Sequence, residues 1–181
     1  MLELKQNYFE LFALAPSFAI NKANLAEKYR ALQRSFHPDN FAAESQQQQR
    51  LAVQCTAHIN QAYQSLRSDL LRAEYLLKLQ GVDPQLDSTT VFDSEFLMEQ
   101  MALREALEEV RSAIDTEVAL QELQTTVDER LKDLFQAFSN LWDQKDPTAL
   151  EQAAVIVQKL YFLTKLQQQV TELEAELLDD F

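Results

Sequence analysis

Residues 21–40 read NKANLAEKYRALQRSFHPDN, and the course of this stretch decides the fold class. Asn21 is a good helix N-cap, because its side-chain oxygen accepts from an N–H that the first turn leaves without a partner. Leu25, Tyr29, Leu32 and Phe36 then recur at spacings of four, three and four, one face of an α-helix. Glu27, Arg30 and Arg34 fall on the opposite face, and Lys22 and Lys28 on the flanks. Four bases stand against one acid on this helix. Pro38 ends it, since proline turns His37 away from helical angles.

The same alternation of stripe and stop continues in both directions. Upstream, a short aromatic helix over about residues 8–14 ends near Pro16. Downstream, a helix starts near Glu44 and Ser45, with Leu51, Cys55, Ile59, Ala62 and Leu66 as its stripe. A loop of about eight residues joins it to the basic helix, which predicts an antiparallel pair. A fourth helix follows Ser68 and spans residues 70–79. Gly81 then serves as a C-cap, Pro84 forbids continuation, and the polar run beyond reads as a linker. Three further segments carry helical stripes. They are Phe96, Leu103, Leu107, Val110 and Ile114; Leu120, Leu123, Val127, Leu131, Leu134, Phe138 and Leu141; and Ala153, Ile156, Leu160, Leu163, Val170, Leu173 and Leu177. Asp146-Pro147 opens the last as N-cap and first helical residue. The expected architecture is all-α: an antiparallel hairpin with short flanking helices over residues 1–79, a linker over 80–92, and a three-helix bundle over 93–181.

Composition narrows the function. The single glycine excludes both a G-x-G-x-x-G dinucleotide loop and a phosphate-binding P-loop. The single cysteine, Cys55, excludes an internal disulfide and a Cys-rich metal or cluster site, and its place in an apolar stripe reads as a buried, inert thiol. The two histidines, His37 and His58, form no i, i+4 ligand pair, so no metal and no cofactor are expected; His58 reads as a helix-surface residue. No apolar run exceeds five residues, against the about 20 needed to cross a bilayer, and no leader pattern is visible. A cytoplasmic protein with no membrane association is the expectation. The net charge of −13 argues against nucleic acid as a partner. It is unevenly spread: residues 1–81 carry nine bases and seven acids, residues 82–181 seven bases and 22 acids. Two modules with different partners would produce such a split.

The tripeptide His37-Pro38-Asp39 stands where the basic helix meets the loop, a rigid corner projecting two polar side chains. By itself it reads as His37 closing the helix C-terminus and Asp39 capping the next turn. In its context the arrangement resembles the J-domain of DnaJ-type co-chaperones over roughly residues 6–79. That resemblance implies docking on a DnaK-class chaperone and stimulation of its ATPase. It assigns the trigger to His37, Pro38 and Asp39 and the docking face to Lys28, Arg30 and Arg34. Asn40 departs from the lysine of many J-domains, and neither a Gly/Phe-rich segment nor a Cys-rich module is present.

The stretches AHINQAY (57–63), RAEYLL (72–77), FLMEQM (96–101) and KLYFL (159–163) narrow the resemblance to the HscB family, the J-type co-chaperones of iron–sulfur cluster assembly. Asp69 departs from the proline often found before the second stretch, a local capping change. With Phe96 at 0°, Leu97 lies at about 100°, Met101 at about 140°, Glu105 at about 180° and Met98 at about 200°, all off the core stripe. From the angles alone these side chains either pack against a neighbouring element or form an exposed, charge-rimmed patch. The family resemblance favours the patch and implies that it binds an IscU-type scaffold through Leu97, Met98, Met101, Arg104, Glu105 and Phe162. Ala102 stands where an acidic residue is often seen. The function implied is that of a non-enzymatic adaptor linking an HscA-type chaperone to that scaffold. A J-type adaptor for another client, or a helical adaptor outside the chaperone system, remains open.

Overall fold

A computed structural model describes residues 6–84 and 94–179. Every regular element among them is helical, and the chain divides into two compact units, residues 1–81 and 82–181. The sequence-predicted linker lies largely in residues 85–93, outside the described residues.

The first unit contains α1 (Tyr8–Leu11), α2 (Lys22–Phe36), a 3-10 turn (Pro38–Phe41), α3 (Gln46–Arg67) and α4 (Asp69–Leu79). Side-chain caps set the starts: Asn7 and Glu10 form a capping box on α1, Ser45 and Gln48 another on α3, and Asn21 and Ser68 cap α2 and α4. The short first helix ends at Leu11 rather than near Leu14, because the chain turns through a left-handed Ala13 (φ 46°). Helices α2 and α3 run antiparallel. Tyr29 stacks on Tyr63 with ring centroids 3.9 Å apart and its hydroxyl donates to Asn60 Oδ1 at 3.0 Å. Seven residues further along α2, the Phe36 carbonyl meets Thr56, seven residues back along α3 from Tyr63. Phe9, Phe12, Leu25, Ile59, Leu66, Leu76 and Leu77 form the buried centre. The buried stripe of α3 starts at Ala52 rather than Leu51, which is half-buried. His58 is half-buried, with its ring edge-on to Tyr8, and not a plain surface residue.

Two sequence stretches that carried the resemblance have structural jobs here. In the first, Ile59 and Ala62 fill the core, while Asn60 and Tyr63 hold Tyr29. In the second, Arg72 is buried and donates to the carbonyls of Phe18 and Leu66, each at 2.7 Å, and to Asp69. The Tyr75 hydroxyl accepts from the Tyr8 N–H at 2.9 Å. Gly81 ends α4 at φ 76°, its N–H donating to the Lys78 carbonyl at 3.0 Å.

The second unit contains α5 (Ser94–Glu109), a 3-10 turn (Val110–Ser112), α6 (Thr116–Gln144) and α7 (Pro147–Asp179). Gln124 faces Glu174 and Gln167 faces Asp128, so α6 and α7 are antiparallel. Glu99 pairs with Arg130 across α5 and α6, and Arg111 with Glu176 across the turn and α7. Left-handed Lys145 (φ 57°) and the Asp146 cap on Ala149 N–H make the α6–α7 corner. The predicted stripes bury with small shifts: Trp142 and Val157 are buried, while Leu141 and Ile156 are half-buried. Ile114 is a clear departure. It is fully exposed, because α5 stops at Glu109 and Ala113 is extended (ψ 148°), so 3.6-residue periodicity no longer reaches it.

Candidate functional site

Two exposed surfaces, one on each unit, hold the residues that the sequence singled out. On the first unit, His37 leaves helical geometry (ψ 130°) and Pro38 starts the 3-10 turn. Both His37 and Asp39 are exposed. The Asp39 N–H donates to His37 Nδ1 at 3.3 Å, which fixes the ring locally. The Asp39 Oδ2 lies 3.5 Å from the same nitrogen, so the corner offers a partner an exposed imidazole and an exposed carboxylate side by side. Arg30, Gln33, Arg34, His37 and Asn40 line a depression beside it. Arg30 and Arg34 are exposed there. Lys28 is placed differently: its Nζ donates to the Ala13 carbonyl at 2.8 Å, where it holds the left-handed turn after α1.

On the second unit, Leu97 (51% exposed), Met98 (70%) and Met101 (65%) stand out from α5 while Phe96 and Leu103 of the same helix are buried. Phe96 and Leu103 are seven residues apart, two turns, so the core-facing line is narrow and the intervening large apolar side chains face away from it. Arg104 and Glu105 are exposed at the border. Phe162 on α7 is half-buried: its ring meets Phe96 edge-on at 5.9 Å, and the Arg104 guanidinium lies 5.4 Å from its centroid. Thus α5 and α7 bring Arg104 and Phe162 together across 58 residues of sequence. Lys159, whose Nζ lies 4.8 Å above the Phe96 ring, belongs to the same neighbourhood and was not singled out by periodicity. Gln33 and Thr56 were likewise missed at the first surface, since each lies on a helix flank whose facing partner depends on how α2 and α3 are aligned.

Cys55 is buried, and burial raises its thiol pKa above the ordinary value, which disfavours the reactive thiolate. Among the described residues no helix is long and apolar enough to cross a membrane.

Comparison with known proteins bears on the family of the chain. A family model described as the HSCB C-terminal oligomerisation domain matches residues 92–171. A Shewanella loihica protein named co-chaperone protein HscB homolog is 45% identical over 93% of this chain and 97% of its own length. Chaperone HscB from Vibrio cholerae superposes with a TM-score of 0.86 at 41% identity, covering 95% of this chain and 99% of that one. Human co-chaperone protein HscB gives a TM-score of 0.86 at 28% identity, covering 96% of this chain and 84% of that one.

Proposed function

Because the chain belongs to the HscB family of co-chaperones, we propose that it couples an HscA-type, DnaK-class chaperone to an IscU-type iron–sulfur scaffold and performs no covalent chemistry itself. The first unit docks through Arg30 and Arg34 and triggers ATP hydrolysis through His37, Pro38 and Asp39. The second unit carries the scaffold on Leu97, Met98 and Met101, bordered by Arg104, Glu105 and Phe162. The observation that carries this reading is the presence, on separate units of one chain, of a polar arginine-flanked corner and an uncovered Met/Leu patch. The two surfaces suit partners of different chemistry.

The physics of each contact differs. Docking through exposed arginines is long-ranged and screened by salt, with a Debye length of about 8 Å at physiological ionic strength, so it governs encounter more than final affinity. The patch works by removing apolar surface from water, and flexible, polarisable methionines suit an adaptable partner surface. Holding both partners on one chain raises their mutual effective concentration to about the millimolar range. Scaffold and trigger then arrive together, and stimulation with both present exceeds the sum of their separate effects.

A steady-state ATPase titration with and without scaffold tests this. The His37→Gln variant should lose stimulation while keeping its fold and its scaffold affinity; unchanged stimulation refutes the trigger assignment. Stimulation without scaffold binding would instead indicate a J-type adaptor for a different client.

A further inference from the structure

Pro38 leaves the end of α2 short of a hydrogen-bond donor, and two side chains from different parts of the chain supply what is missing. In an α-helix the carbonyl of residue i accepts from the N–H of residue i+4. For Arg34 that residue is Pro38, which has no N–H. The Asn40 side-chain amide donates to the Arg34 carbonyl at 2.7 Å in its place. Two residues on, the Phe36 carbonyl would look to the Asn40 N–H. That N–H closes a tighter turn on the His37 carbonyl at 3.0 Å instead. Thr56 of α3 donates its hydroxyl to the Phe36 carbonyl at 2.9 Å, on a partly buried surface. The carbonyl of the residue just before His37 is therefore tied to α3, and the turn just after Asp39 is tied back to α2.

We propose that Asn40 and Thr56 are positioning residues for the His37-Pro38-Asp39 corner, clamping it from its two ends; this rests on the reading of that corner as the chaperone trigger. The position that is lysine in many J-domains acts here as a helix cap, so the missing positive charge is exchanged for a fixed corner geometry. Loss of either clamp lets the end of α2 sample other conformers. A partner that binds only the competent conformer then sees an affinity lowered by its fractional population. Once bound, the same His37 and Asp39 act, so the maximal effect is retained.

The test is an ATPase titration of a purified HscA-type chaperone with the full chain carrying Asn40→Ala, Thr56→Val or Thr56→Ser. Asn40→Ala and Thr56→Val should each raise the half-maximal concentration about three- to tenfold, the range set by one lost neutral hydrogen bond, with the plateau unchanged. Thr56→Ser, which keeps the hydroxyl, should stay within about twofold of wild type. A purely structural role would lower the melting temperature without this split between half-saturation and plateau. If wild type stimulates, His37→Gln abolishes the effect, and both clamp variants titrate like wild type, the positioning role is overturned while the trigger reading stands. A shift in only one variant overturns the role of the other residue. If wild type itself does not stimulate, the trigger reading and the positioning role fall together. Asn40 is exposed, so its variant carries the test should Thr56→Val lose helicity by circular dichroism.

Discussion

Arg72→Met should uncouple the stability of the first unit from that of the second. Arg72 is 3% exposed, and its guanidinium donates to the Leu66 and Phe18 carbonyls and to Asp69, with the Phe18 ring 5.0 Å from its centre. Methionine keeps the apolar stem and removes all the donors. A hydrogen bond to a charged donor contributes about 1.5–3 kcal/mol, with the Leu66 carbonyl at the upper end because its bond is buried. Asp69 adds little to the loss: it is partly exposed and keeps its 2.9 Å pair with Lys22. Relief from burying a guanidinium returns part of the loss, leaving a net destabilisation of about 3 kcal/mol. With a urea m-value of about 1 kcal/mol/M for a unit this small, the midpoint should fall by about 3 M. The assay has a built-in reference, because the only tryptophan, Trp142, is buried in the second unit. Far-UV circular dichroism should gain an early transition that tryptophan fluorescence does not report. A midpoint shift below about 0.5 M would refute the assignment of Arg72 as the polar anchor, and a parallel shift of both probes would refute independent unfolding of the units.

Burial pushes the Asp69 carboxyl up, but Lys22 and Arg72 together hold it below the ordinary carboxylate pKa. Its stabilising contribution is therefore present above about pH 3.9 and is lost as pH falls through the lower folded-state value, so Asp69→Asn should flatten that acid limb of an unfolding titration. Met98→Ala and Met101→Ala should change the unfolding free energy little, within about 0.5 kcal/mol, since both side chains are exposed, yet together weaken scaffold binding at least about tenfold by calorimetry. Wild-type affinity in the double variant would remove the patch from the proposal. Native protein should react with a thiol reagent far more slowly than urea-unfolded protein, because the Cys55 thiol is buried and its pKa raised; equal rates would contradict that burial.

Much of this was legible one helix at a time. Asn21, Ser68 and Asp146 announced helix starts and Gly81 a helix end, because capping and left-handed turns depend on residues within a few positions of each other. The 100° rotation per residue also put Leu97, Met98 and Met101 off the core stripe, and the family resemblance favoured their exposure over packing against a neighbour, which is how they stand beside the inward Phe96 and Leu103. The same reasoning failed at Ile114, where a single 3-10 turn ended the periodicity, and was off by one at Leu141 and Ile156, where Trp142 and Val157 bury instead. Nor does anything in α2 reveal that the carbonyl of Ala13 lies within reach of Lys28.

The sequence by itself determined the helical class, several helix starts, the join near Gly81 and the corner at His37-Pro38-Asp39. Each depends on local physics: spacing along one helix, the φ of a glycine, the missing N–H of a proline. Tertiary structure alone decided which distant groups meet: Thr56 with the Phe36 carbonyl, Arg72 with the Phe18 carbonyl, Arg104 with Phe162. Those pairings depend on the axial alignment of packed helices. That alignment is set by how whole side-chain surfaces interlock, and the periodicity of one helix carries no record of its neighbour's position.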